Sequence, residues 1–287
     1  MTVASRREAV PFLLARGLSP HRACSLLGLY RSTFQYQARP DRHAELEGHI
    51  QALAQRYRRY GYRRMWALLR RRGQHVHKKR VHRIWKPAKL HVRKVHRKCR
   101  VARAVSTPVQ ATHPGHVWPD DFVHDACLHG PALKVLTVMD ACTRAGLASD
   151  VATTRPAAQG LTVLDRLFRE HGAPQFLRSD HGPECIALAL RGWLVRHQTA
   201  TLYINPGCPW QNGDEERFKG TVRDEGLNPH RFHTVSEARV ILTAYRREDH
   251  EERPHSSLGY RTPAEFKHDW LERQSSSVGL SHLHWPK

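Results

Sequence analysis

Apolar residues recur at helical spacing through the first third of the chain and in short strand-like runs through its middle. Residues 5–15 make a first helical pattern that ends at Gly17, a glycine placed as a C′ residue. Ser19-Pro20 then reads as an N-cap followed by the first helical residue. Ala23, Leu26, Leu27 and Tyr30 follow at i, i+3, i+4 and i+7, one apolar face. Gly28 interrupts the run, and Ser32 is placed to cap a third helix carrying Phe34 and Tyr36. Such a compass suits a helix-turn-helix unit over residues 1–40, and a generic three-helix bundle fits it equally well.

A second helical pair occupies residues 41–104. Tyr62, Met65, Trp66 and Leu69 form one stripe, with Arg63, Arg64, Arg70, Arg71 and Arg72 largely off it. The next helix begins near Lys78-Lys79-Arg80, buries Val81, Ile84 and Trp85, and stops at Pro87. From Lys86 to Arg103 the chain is strongly basic with little periodicity, as an arm lying along a polyanion would be. Composition changes near Pro108–Pro114, and strand-like runs follow at 117–126, 133–139 and 145–151. A helix at 156–171, a strand at 175–179, a helix at 184–197 and a strand at 199–204 come next. A Pro/Gly loop at 205–209 precedes helices at 210–226 and 235–250, and the last dozen residues look frayed. Strands alternating with helices in this order predict an α/β domain with a mixed sheet over 105–270, and a tail over 271–287.

Charge sharpens the picture because it is segregated. Residues 1–110 hold 27 Lys+Arg against 4 Asp+Glu, whereas the remaining 177 residues are close to neutral, within a total of +21. A basic half of that size attracts polyanions, nucleic acid first. Six cysteines with no C-x-x-C spacing argue against a zinc finger and a disulfide framework. No apolar run is long enough to span a bilayer and the N-terminus lacks a secretory signal, so the expectation is a cytoplasmic, nucleoid-associated protein with no membrane partner.

Candidate chemistry lies in the carboxylates. Asp180 closes a strand in Leu177-Arg178-Ser179-Asp180-His181-Gly182-Pro183-Glu184, and Asp121 sits within the first strand beside Asp120. Strand alternation points those neighbours to opposite faces and does not choose between them. On the helix after the Pro/Gly loop, Glu215 falls on the side of Phe218 and Val222, while Glu216 shares a face with Lys219 and Arg223. Glu216 is therefore the better ligand candidate. Carboxylates from separate elements are what two hard cations a few ångströms apart need for phosphoryl-transfer chemistry.

These residues resemble the DDE transposases and retroviral integrases, and more closely the second-frame protein of insertion sequences of the IS-three group. Thirty-five residues separate Asp180 from Glu216, the D,D-35-E spacing. The likeness also takes in Tyr60-Gly61-Tyr62-Arg63-Arg64, Lys79-Arg80-Val81, Trp118…Asp121-Phe122 and Asp140-Ala141-Cys142-Thr143-Arg144. It continues through Pro209…Gln211-Asn212 with Glu216, Arg223-Asp224-Glu225, and Arg253-Pro254-His255-Ser256-Ser257-Leu258-Gly259-Tyr260.

The resemblance implies a ribonuclease-H-like catalytic domain with a mixed five-stranded sheet, preceded by an all-α helix-turn-helix region. It implies Asp121, rather than Asp120, with Asp180 and Glu216 as catalytic ligands of Mg²⁺, two ions, with Mn²⁺ a possible substitute. It also implies cleavage and strand transfer of double-stranded DNA, at terminal inverted repeats and at target sites. The active form would be a homo-oligomer on DNA, with the upstream-frame transposase protein as partner or frameshift fusion. Arg63, Arg64, Lys78, Lys79, Arg80, Arg93, Lys94, Arg97, Lys98, Arg100, Lys219 and Arg223 are the candidate DNA contacts. Departures from the family pattern are His181 for Asn, Cys185 for an aromatic residue, Glu215 for an apolar one, Lys219 for Asn, and Pro119-Asp120 before Asp121. They keep a second reading open, a catalytically inert DNA-binding protein. A third, a nuclease for RNA–DNA hybrids, has no need of the basic N-terminal half.

Overall fold

The computed structural model describes residues 2–37, 44–92, 109–154, 157–179, 188–204 and 213–280. They form two compact units, Met1–His49 and Ile50–Lys287. The first holds α1 (Val3–Leu14), α2 (Pro20–Leu26) and α3 (Arg31–Gln35). Thr2 caps α1 by accepting from the Ser5 amide, Ser19 caps α2 by accepting from the Arg22 amide, and Pro20 occupies the first helical position. Val10, Ala23, Cys24 and Leu29 make the core, with Leu13, Leu14, Leu18, Leu27 and Phe34 against it. The expected stripe is only half right: Leu26 and Tyr30 are exposed. α2 ends at Leu26, so the helical period no longer governs where Tyr30 points.

α4 (Ala44–Arg56) crosses the boundary between the units, and α5 (Tyr62–Arg71) and α6 (Lys78–Trp85) belong to the second, with the sheet. Met65, Leu68 and Leu69 of α5 and Val81, Ile84 and Trp85 of α6 are buried, and the Trp66 indole donates to the Val76 carbonyl at 2.8 Å to close the turn.

The described strands are β1 (Val117–Ala126), β2 (Ala132–Met139), β3 (Gly146–Ala152), β4 (Phe176–Ser179) and β5 (Ala200–Tyr203). They form one mixed sheet in the order β3-β2-β1-β4-β5. β1, β2 and β3 pair antiparallel, while β4 runs parallel to both β1 and β5. The parallel pairs need crossovers, which α7 (Ala157–His171) and α8 (Leu188–Arg196) supply. One sheet face packs Trp118, Leu136 and Val138 beneath Leu164, Leu167 and Phe168 of α7 and Leu194 of α8. The other packs Val123, Leu133, Val135 and Met139 beneath α9 (Gly213–Thr221), its π-helical continuation Val222–Leu227, and α10 (Val235–Glu251). α9 lies so close to β3 that a Cβ at Gly146 would meet the Phe218 ring at 2.7 Å.

A last helix, α11 (Pro263–Leu280), runs through the boundary where the sequence pattern suggested a tail. Its signal was local rather than periodic. Thr262 and Glu265 form a reciprocal capping box, the hydroxyl accepting from the Glu265 amide at 3.2 Å and the carboxylate from the Thr262 amide at 2.9 Å.

Buried charge ties the second unit together. Arg253, only 5% exposed, donates twice to Glu225 at 2.8 and 2.9 Å and stands 3.3 Å from Asp249, itself 2% exposed. Arg64 reaches the same Glu225 at 2.9 Å, and Arg59 forks onto Asp224. Burial alone would lower the Arg253 pKa, but the two carboxylates outweigh it and hold the guanidinium charged. Replacing Arg253 with Met leaves buried Asp249 without its arginine and Glu225 with Arg64 alone, and is expected to destabilise by about 3–5 kcal/mol in urea unfolding. Arg247→Ala, which breaks an exposed pair with Glu251, should leave the unfolding midpoint almost unmoved. Equal losses in the two variants would show that burial of the Arg253 network confers no special dependence.

Candidate active site

Side chains alternate along β1, so Trp118 and Phe122 face α7 and α8 while Val123 faces α9 and α10. Asp121 shares the α9 face, and Asp120 shares the other. The cross-strand partner of Asp121 is Thr137. One turn of α9 meets this pair: Lys219 donates its ammonium to Asp121 Oδ2 at 2.8 Å, and the Thr137 hydroxyl lies 2.8 Å from Glu215 Oε1. Asp121 Oδ1 accepts the Phe122 amide at 2.6 Å.

Glu215 is fully buried, and its Oε2 has no hydrogen-bond partner among the described residues. Burial raises its pKa well above the ordinary glutamate range. The neighbouring Asp121 and Asp120 charges add to that, and the Thr137 bond and Lys219 only partly oppose it. Glu216 is exposed, on the flank of α9 beyond Lys219. Asp180 lies outside the described residues. β4, which ends at Ser179, runs beside β1 with Pro119 opposite Arg178, so the chain leaves β4 next to the strand that carries Asp121.

Asp140, another acid in the strand region, is spent on local structure. Its carboxylate accepts the amides of Gly115, Cys142 and Thr143 at 2.6, 2.8 and 3.0 Å. The described residues contain no cluster of three metal-binding side chains. What they do offer a hard divalent cation is carboxylate oxygen, with Asp121 and the acidic first turn of α9 on one sheet face and a buried glutamate oxygen left without a partner.

Of the basic residues singled out by pattern, Arg63, Lys78, Lys79 and Arg80 are exposed on α5 and α6. Arg64 is half-buried and its guanidinium pairs with Glu225 inside the ion network. Lys219 is engaged by Asp121, and Arg223 donates to the His124 carbonyl at 2.8 Å. Arg93, Lys94, Arg97, Lys98 and Arg100 lie outside the described residues, as do His181 and Cys185. Thr137 escaped sequence reasoning, since a threonine in a strand carries no signal of its own until its cross-strand partner is known.

Comparison with known proteins matches the integrase core domain family to residues 111–209 and 197–263, and the HTH-like domain family to residues 41–98. The latter match falls on α4 to α6. An uncharacterized 31.7 kDa protein of insertion element IS407 from Burkholderia multivorans (strain ATCC 17616 / 249) is 40% identical, covering 87% of this chain and 90% of that protein. An uncharacterized 39.2 kDa protein of insertion element IS476 from Xanthomonas euvesicatoria is 35% identical over 95% of this chain and 80% of its own length. Transposase InsD of element IS2 from Escherichia coli is 27% identical over 77% of this chain and 76% of that protein. Among solved structures, the HTLV-2 integrase catalytic core domain superposes with a TM-score of 0.44 at 13% identity, over 55% of this chain and 99% of that one. The sheet order and the family matches agree on a ribonuclease-H-like integrase core.

The raised pKa of Glu215 has a signed consequence for stability. In metal-free buffer the unfolded chain loses this proton in the ordinary glutamate range while the folded chain keeps it, so folding free energy is lost as pH rises above that range. Glu215→Gln retains the bond to Thr137 without the charge. It should be stabilising at pH 8 and close to neutral at pH 4, measured by urea unfolding with EDTA present. A variant that destabilises equally at both pH values would mean that Glu215 is not held protonated.

Proposed function

This chain belongs to the insertion-element transposases that carry an integrase core, and from that premise we propose that it cuts and joins DNA at the ends of a mobile element through Asp121, Asp180 and Glu216. The observation that carries the assignment is the docking of α9 on β1, with Lys219 bound to Asp121 and the acidic first turn of the helix beside it. That docking supports Asp121 over Asp120, whose side of the strand faces α7. It supports Glu216 over Glu215 as well, because Glu215 is sealed in the core against Thr137 while Glu216 is open to solvent and substrate.

Mg²⁺, with Mn²⁺ a substitute, is the cation these three carboxylates would hold, and it supplies charge that activates an attacking oxygen and stabilises the leaving one. Water and then the freed 3′-hydroxyl attack phosphodiesters in line, with no covalent link to the chain. Lys219 fixes the orientation of the Asp121 carboxylate through its 2.8 Å contact. The exposed Arg63, Lys78, Lys79 and Arg80, together with the basic segment 86–103, grip terminal inverted repeats through phosphates. The active species is a multimer on DNA, joined by the upstream-frame transposase protein or fused to it.

The test is strand cleavage and joining of labelled element-end duplex with Mg²⁺. Asp121→Asn, Asp180→Asn and Glu216→Gln should each lower joining by about a thousandfold or more while binding persists. Asp120→Asn and Glu215→Gln should retain most of it. Joining lost in Glu215→Gln and kept in Glu216→Gln would transfer the ligand role to Glu215. Binding without cutting by the wild-type chain, even fused to the upstream-frame product, would establish the inert DNA-binding reading.

A further inference from the structure

α9 has a second polar face. Asp214, Arg217 and Thr221 recur at i, i+3 and i+7 and line a small cavity of about 100 Å³, closed by Arg144 after β2 and by Ser256 and Ser257 before α11. Four arginines, Arg64, Arg144, Arg217 and Arg253, line it with two serine hydroxyls, donors suited to phosphate oxygens. We propose that Arg144, Arg217, Ser256 and Ser257 form a subsite for one DNA phosphodiester, an inference that rests on the DNA-joining reading above.

Charge bookkeeping around the cavity points to an anion. Arg64 and Arg253, which also line it, are balanced by Glu225 and Asp249, and Arg144 is balanced by Asp214 at 2.6 Å. The Arg217 guanidinium has no ion-pair partner among the described residues, which leaves one uncompensated positive charge for one phosphodiester. The hydroxyls of Ser256 and Ser257 are likewise unengaged among the described residues, and each adds a donor. Arg144 holds a left-handed backbone with φ +62°, uncommon for a residue with a side chain and fixed here by its amide bonding the Asp140 carbonyl at 2.8 Å. The chain accepts that conformation where it turns the Arg144 guanidinium toward α9.

Arg217 stands about 160° around the helix from Lys219. A phosphate seated beside it is therefore not the reacting one. It belongs to a neighbouring nucleotide, so the subsite sets the path of the strand past the carboxylates. Contacts of this kind position the duplex without reading its sequence.

The experiment measures binding of the full-length chain to a labelled blunt duplex of arbitrary sequence, by anisotropy, between about 50 and 200 mM salt in EDTA. Arg217→Gln should flatten the slope of log K against log salt by about one, with its thermal midpoint unchanged. Ser256→Ala combined with Ser257→Ala should weaken binding severalfold at fixed salt and leave the slope alone, since no charge is lost. Arg166→Gln, the same charge loss on the exposed side of α7, should match the wild type. An unaltered slope in Arg217→Gln, or an equal change in Arg166→Gln, overturns the subsite while leaving DNA joining standing. Failure of the wild-type chain to bind duplex at any of these salt concentrations overturns both.

Discussion

Arg253 is a guanidinium almost wholly removed from water, and three segments far apart in the chain converge on its charge. Glu225 lies in the π-helical continuation of α9, Asp249 belongs to α10, and Arg64 arrives from α5 to share Glu225. Moving any one of these segments alone would strand a charge in a low-dielectric interior, a penalty of several kcal/mol. The network therefore contributes less to net stability than to uniqueness of arrangement. It fixes the far end of α9, and with it the direction in which that helix crosses the sheet.

Where α9 passes over β3, its position is set by shape. Gly146 lets the Phe218 ring sit directly on β3, where any larger residue would push the helix away. Three sides of this one short helix take on different tasks. Phe218 and Val222 are buried, Glu215 and Lys219 meet Thr137 and Asp121, and Asp214, Arg217 and Thr221 line the basic cavity. The π-helical turn at Val222–Leu227 brings Glu225 to Arg253, a local irregularity of the sort that recurs at functional positions.

How much of this was legible depended on whether the signal was local. β1, β2 and β3 fall within a residue of the runs read from the sequence, because strands covered on both faces are buried in short, nearly continuous stretches. α11 was missed because its middle is too polar for a clear stripe, although Thr262, Pro263 and Glu265 spell a helix start. The pairing of Arg64 with Glu225 was not legible, because a periodic pattern cannot tell an arginine facing water from one facing a glutamate 161 residues away. The Asp120–Asp121 ambiguity has the same origin. Alternation separates the two side chains, but which face receives α9 is decided by the whole sheet and its crossovers.

Two of the departures from the family pattern find a physical account on α9. Position 215 is fully buried on the sheet side of α9, where an apolar residue would have no charge or polar atom to desolvate. A glutamate is tolerated because Thr137 supplies a bond and because burial beside Asp120 and Asp121 favours the protonated form, which carries no charge to desolvate. Lys219 works on the same cluster from the other side: its ammonium at Asp121 partly opposes the rise that burial and the two aspartates impose on Glu215. The two substitutions lie one helical turn apart and act on each other's electrostatics. Both act on the one face of α9 that meets Asp121, while Glu216 lies exposed on the adjoining flank of the helix.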